Sequence, residues 1–416
     1  MNFANMGNQQ QKKTKEISTY SLHQLGLSLE NFTFVENIED LKKKPPLIVI
    51  AEAQRDVAFI QNYFKPQTLK KKIKYVMGIS AFKQLQYDPV KNVRILKPSN
   101  IKFPNVYKPY SGQDLTNKTL LVWRSGGIGD LLFIQPNLIY LKNKYPSCKI
   151  LFACGPQYQP MVETWTNCID QILDLPFSLK YLLESDYHAL FEGVIERTRE
   201  AEKICSYNLF SNWLGLNLED SLLRPEQKPD EEEVEKCRNI LKSHNIEEGK
   251  FVVAQMRASS IIRTPREEIF TKLFKFITDK GYKVLITDTP RKSAEIQKYI
   301  DKTDRENLIN FSKFSDSIAK TIALTSLAKM VISPDTSLVH IAESLGVKSF
   351  GIYGAFPGRV RLTTYKNCEW IDCEKSCGPC FVHGQNLCKH SSHGYPSCFD
   401  NIKYDEAFEK LERQLS

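Results

Sequence analysis

The sequence predicts an α/β protein made of two successive doubly wound halves behind a small α/β extension. Three observations carry this. Short apolar runs alternate with amphipathic helical segments from Thr119 onward, the alternation restarts after a charged stretch near residue 225, and small-residue turns join strands to helices. At 416 residues and 42% hydrophobic content, the chain is long enough for two or three domains with cores of their own.

Residues 1–20 are polar and read as a disordered tail. Over 21–115, the strand-like PPLIVIAEA and IKYVMGI alternate with the helical DVAFIQNYF and SAFKQLQY, the pattern of a small extension with a parallel sheet. KFPNVYKPYSGQD reads as a linker. The first half, 116–228, runs as strand TLLVW, turn RSGGIGD, helix LLFIQPNLIYLKNKY, strand CKILFAC and helix YQPMVETW, then IDQILDL and helical, charged segments. After RPEQKPDEEE the second half, 229–400, repeats the logic: strands KFVVAQM, YKVLITD, LINF, MVISP and KSFGIYG with helices between them. Such halves imply two Rossmann-like domains facing a cleft. The amphipathic YDEAFEKLERQLS, within 401–416, is a C-terminal helix expected to return to the first domain.

The net charge of +9 favours anionic ligands without choosing among them. Its basic runs KKTK, LKKKPP, LKKKIKY and VRILKP lie before residue 110 and suit a solvated face better than a polyanion dock, because no arginine-rich or aromatic repeat accompanies them. No apolar run reaches the ~18 residues of a membrane-spanning helix, and the N-terminus is too polar for a signal peptide, so a cytoplasmic protein is expected. Cys148, Cys154, Cys168, Cys205 and Cys237 are scattered singly and read as buried apolar residues.

In WRSGGIGDLLF, glycines 126, 127 and 129 stand between a strand and a helix, where backbone N–H groups can approach an anion. A dinucleotide fingerprint fails, since Leu132 stands at its third glycine and no acidic residue ends CKILFAC. A tight turn without a ligand is the competing reading. Asp130 is either an N-cap or a general base at the mouth of a cleft. In SPDTSLVHIAESLGV, Asp335, Thr336 and Ser337 suit a helix start that holds phosphate oxygens, with His340 about one and a half turns further on. Residues 368–398 hold Cys377, Cys380, Cys388 and Cys398, with Cys373, His383, His390 and His393 nearby. This set would suit a closed structural zinc site; reduced cysteines packing a loop are the rival reading.

Together, WRSGGIGDLLFIQPNLIYLKNKYPSCKI and SPDTSLVHIAESLGVKSFGIYGAFPGR resemble the N- and C-terminal signatures of the heptosyltransferase family of glycosyltransferases, over about residues 118–400. The resemblance implies a GT-B architecture, with the acceptor held mainly by the N-terminal domain and a nucleotide-diphosphate sugar by the C-terminal one. It implies inverting transfer without a catalytic cofactor, with Asp130 as base and Ser125, Gly126, Gly127 and Gly129 around the acceptor. Asp335, Thr336, Ser337 and His340 match the family's donor motif, although Ser337 replaces its usual glycine. The family's lysine is replaced in Arg263-Thr264-Pro265, making Arg263 the candidate diphosphate clamp with Arg257 and Arg266 as competitors. Thr287 and Asp288 end a strand where this fold commonly meets base or ribose. The implied acceptor is a saccharide, which would suit peripheral membrane contact. The alternatives are a hydroxylated base in DNA and a catalytically silent binding protein.

Overall fold

The computed structural model describes residues 108–416 except 176, 178–180, 182, 183, 379, 381–387 and 393, and, ahead of them, four short strands. These are β1 (Phe32–Phe34), β2 (Ile48–Ala51), β3 (Tyr75–Val76) and β4 (Val93–Leu96), ordered β1-β4-β2-β3. Only β2 and β3 run parallel; β4 is antiparallel to both β1 and β2. The expected parallel sheet is thus corrected to a mixed one, because β4 comes from VRILKP, whose charges masked a Val-x-Ile strand alternation. The tail over 1–20 and the helices DVAFIQNYF and SAFKQLQY lie outside the described residues.

The chain divides into two compact units, one of residues 1–126, 145–156 and 169–192, the other of 127–144, 157–168 and 193–416. In the first, β5 (Thr119–Trp123), β6 (Lys149–Cys154), β7 (Gln171–Asp174) and β8 (Tyr187–Leu190) form a parallel sheet ordered β7-β6-β5-β8. Leu120 through Trp123 are buried, as a near-continuous apolar run in a covered parallel strand should be. Strand β8 corrects the helical reading of that region: its polar Tyr187-His188 start hid a strand only four residues long. The linker is fastened beside it, with the Lys108 N–H donating to His188 Nδ1 and the Tyr110 N–H to the His188 carbonyl, both at 2.8 Å.

The second unit holds six parallel strands: β9 (Phe251–Ala254), β10 (Lys283–Ile286), β11 (Leu308–Asn310), β12 (Met330–Pro334), β13 (Lys348–Tyr353) and β14 (Cys368–Asp372). Their order, β11-β10-β9-β12-β13-β14, is the doubly wound one, with its switch point between β9 and β12. Ligands of such sheets bind beyond the carboxyl ends of the strands at that point. Strand β14, CEWID, went unread within the cysteine cluster.

The longer helices of this unit are α1 (Ile128–Lys144), α2 (Ser206–Trp213), α3 (Glu231–Ser243), α4 (Glu267–Asp279), α5 (Ser293–Thr303), α6 (Ile318–Ser326), α7 (Ser337–Ser344) and α8 (Tyr404–Leu415). Their boundaries follow local chemistry. Asp230 caps α3 by accepting from the Glu233 N–H at 2.9 Å, and three glutamates fill its first turn, where the helix end favours negative charge. Helix α4 buries Phe270, Leu273, Phe274 and Ile277, the 0, 3, 4, 7 spacing of one helical face. Each such side chain is worth roughly 1.5–3 kcal/mol when fully buried.

Helix α8 buries Ala407, Leu411 and Leu415 in this same core, and Phe408 stacks on Phe276 of α4 at 4.8 Å between ring centroids. It is therefore a cover for the sheet of its own unit, which corrects the expectation that it returns to the first domain. The five scattered cysteines are buried, as expected. Among the described residues no helix is long and apolar enough to cross a membrane.

Candidate active site

A cavity of about 400 Å³ lies at the switch point of the second unit. It is lined by Gln255 and Ser259 after β9, by Asp335, Thr336, Ser337 and His340 from the end of β12 into α7, and by Gly127, Gly129 and Asp130 at the start of α1. The two stretches singled out in the sequence, some two hundred residues apart, therefore share one cavity.

On the β12 side, Pro334 closes the strand without breaking the ladder, and Thr336 caps α7 by accepting from the Leu338 N–H at 3.2 Å. The Thr336 hydroxyl donates to Gln255 Oε1 at 3.0 Å, which ties the helix start to the end of β9. Asp335, 5% exposed, is met by Arg263, whose Nη1 lies 3.2 Å from both the carboxylate and the carbonyl. Arg263 Nη2 donates to Ser259 Oγ at 2.7 Å. Burial pushes the Asp335 carboxyl up, but Arg263, then Arg361 and His340, outweigh it and hold the group below its ordinary value.

On the α1 side, Gly127 has φ of +86°, a conformation that glycine enters without strain. A Cβ there would come within 2.6 Å of Asp130 Oδ2, so the carboxylate folds over bare backbone. Asp130 stands half-buried in the first turn of α1. A Cβ on Gly129 would lie 2.8 Å from His340 Cδ2. That imidazole cannot readily yield, because Phe133 sits edge-on to it at 5.1 Å and its Nδ1 is 2.5 Å from the Tyr365 hydroxyl. Gly129→Ala is therefore expected to cost about 1–3 kcal/mol, the usual range for overpacking. Denaturant unfolding measures this, and an unchanged midpoint would mean that the ring moves aside freely.

The hydroxyl of Tyr365 also lies 2.9 Å from that of Tyr207, and all three rings are buried. Burial pushes the His340 imidazole down to about 4, against the attraction of Asp335, and raises both phenols well above their ordinary value. At neutral pH the histidine is uncharged. With protons assigned so that Tyr207 donates to Tyr365 and Tyr365 to Nδ1, the imidazole proton sits on Nε2.

Ser125 and Gly126 do not line this cavity. They belong to the first unit, where the Ser125 N–H donates to the Glu192 carboxylate and the Gly126 carbonyl accepts from Arg124 Nε at 2.8 Å. Thr287 and Asp288 are outside it as well: Thr287 Oγ1 bonds back to the Ala254 carbonyl at 3.2 Å, and Asp288 accepts the Thr289 N–H at 2.6 Å. Of the three candidate arginines, only Arg263 lines the cavity. Arg257 pairs with Glu267 and Glu295, and Arg266 with Asp400 at 2.6 Å. The sequence reading missed Gln255, Ser259 and Arg361; position just past a strand's carboxyl end was the available signal for the first two.

The structure gives the closed zinc site no support, although Cys377, Cys380, Cys388 and Cys398, with Cys373, line one cavity of about 20 Å³. Among the described residues no three His, Cys, Asp or Glu side chains are grouped so as to hold a metal; His383 and His393 lie outside those residues. Burial pushes the Cys398 thiol up to about 12, and Cys388 packs on the apolar group Ile262, Ala355 and Phe356.

The fold is the GT-B architecture of glycosyltransferases. Within that class, residues 196–390 match the model of glycosyltransferase family 9 (heptosyltransferase), so the heptosyltransferase resemblance holds. A family 9 glycosyl transferase from Veillonella parvula superposes with a TM-score of 0.58 at 14% identity, covering 73% of this chain and 98% of its own. E. coli ADP-heptose lps heptosyltransferase II gives 0.55 at 13% identity, covering 72% and 98%. The iron-containing dodecameric glycosyltransferase TibC from enterotoxigenic E. coli gives 0.52 at 12%, covering 74% and 78%. No curated protein matches in sequence. A DNA acceptor draws no support from these relatives.

Proposed function

We propose that the protein transfers a sugar, with inversion, from a nucleotide-diphosphate sugar to a hydroxyl of an acceptor saccharide. The observation that carries this reading is the shared cavity, in which Asp130 and the Asp335 to His340 stretch lie together with Arg263. Asp130 takes the proton of the acceptor hydroxyl as that oxygen attacks the anomeric carbon; a hydroxyl is a poor nucleophile at neutral pH without such a base. The bond from that carbon to the diphosphate oxygen breaks, and the charge developing there is met by Arg263, the N–H groups at the start of α7 and the Nε2 proton of His340. A heptose donor, with the ADP-heptose of the E. coli relative as precedent, is the first to try.

The test is a thermal-shift screen of nucleoside diphosphates and their sugars. A ligand at a hundred times its Kd adds about 2.7 kcal/mol to the folded state, a rise of several degrees in Tm. Nucleosides without phosphate are expected to leave Tm near its unliganded value. If no nucleoside diphosphate raises it, the donor assignment fails.

A further inference from the structure

We propose that Arg361 is a second phosphate-binding arginine of this cavity, closing with Arg263 on the diphosphate of the donor. The inference rests on the donor reading above and adds a residue that neither signature stretch predicts.

Arg361 lines the cavity and is 5% exposed. Its setting differs from that of the other arginines around the sheet. Arg257, Arg263 and Arg266 each have a carboxylate partner, whereas Arg361 forms no ion pair among the described residues. Its Nη1 donates to Ser206 Oγ at 2.7 Å, and that hydroxyl in turn donates to the Val360 carbonyl at 3.1 Å. The guanidinium carbon lies 4.9 Å from the centroid of the Phe356 ring. Its Nε is buried and without a hydrogen-bond partner among the described residues.

A buried cation with one neutral hydrogen bond and a ring face is incompletely compensated, since removing a charge from water costs several kcal/mol unless it is paired. The nearby carboxylate of Asp335 is already engaged by Arg263 at 3.2 Å. An incoming diphosphate supplies the missing anion, and a guanidinium meets it with a planar fork of N–H donors. The loop that presents Arg361 is braced for this. The Gly358 N–H donates to Asp372 Oδ1 at 2.5 Å, a Cβ on Gly358 would run into the Trp370 ring, and the Leu362 N–H closes the turn on the Gly358 carbonyl at 2.8 Å. Arg361 also follows β13 at its carboxyl end, the edge of the sheet where ligands are held.

Titration calorimetry of the full chain with the four ribonucleoside diphosphates and the matching nucleosides tests the inference. Arg361→Gln is expected to weaken the best diphosphate at least tenfold, a loss of about 1.4 kcal/mol, and to leave the nucleoside unchanged. Arg361→Lys keeps the charge and loses the fork; it should weaken the diphosphate by roughly threefold or more. If the glutamine variant does not fold, the lysine variant decides. A folded variant that binds the diphosphate as the wild type does overturns the role of Arg361 alone. Failure of the wild type to bind any diphosphate overturns the donor reading instead.

Discussion

Asp130→Asn is expected to lower kcat by about 10²- to 10⁴-fold, the range that a positioned general base contributes. On the activation barrier this is about 3–5 kcal/mol. Asparagine preserves the shape that folds over Gly127, where the carboxylate lies within 2.6 Å of a hypothetical Cβ, so the start of α1 should keep its form. What is lost is the ability to take the acceptor proton as the new bond forms. The affinity for a nucleoside diphosphate should stay nearly constant, because Arg263, Thr336 and Ser337 are untouched. Steady-state transfer combined with titration of the diphosphate separates the two. A variant that turns over within about threefold of the wild type removes Asp130 from the role of base, and one that loses diphosphate affinity equally makes it a ligand of the donor.

Much of this site was legible because it stands at strand-to-helix junctions. MVISP is a buried β-branched run ended by proline, and the Asp-Thr-Ser after it is a helix start; the structure places β12 and α7 at those residues. The turn before Ile128 was equally visible from its glycines. Strand β8 and strand β14 were hidden for a common reason: each is short and carries polar residues that look like a loop or a ligand set. Arg361 was beyond reach of local pattern altogether. Nothing in PGRVRLTT separates it from the exposed Arg359, which pairs with Glu374 at 3.0 Å; what distinguishes it is Ser206, 155 residues away in the chain. A charge becomes functional through what surrounds it, and that is a tertiary property. The cysteines were legible only as a spacing: Cys377, Cys380, Cys388 and Cys398 line one small cavity, yet among the described residues no three His, Cys, Asp or Glu side chains are grouped so as to hold a metal.

Between pH 6.5 and pH 4 the protein is expected to lose up to about 3 kcal/mol of stability through His340 alone. The imidazole titrates near its ordinary 6.5 when unfolded but only at about 4 when folded, so in this window the unfolded chain binds the extra proton. The stabilisation is complete above pH 6.5 and disappears as the pH falls through 4. Burial drives the shift, Arg361 and Arg263 add to it, and Asp335 opposes it. Asp335 has its own acid limb of the same sign, but its folded value is below 3.8, so most of that limb lies beneath the window. Urea midpoints at several pH values for the wild type and His340→Gln isolate the effect: the variant should lack most of the slope. Parallel losses in the two proteins would mean that His340 can charge inside the fold. The same neutrality shapes the chemistry. An uncharged ring locked by Tyr365 offers the cavity one directed N–H, and protonating it would break the hydrogen bond that Tyr365 donates to Nδ1. Acid should therefore weaken diphosphate binding even though it adds positive charge beside the ligand, the reverse of what simple electrostatics at an anion site predicts.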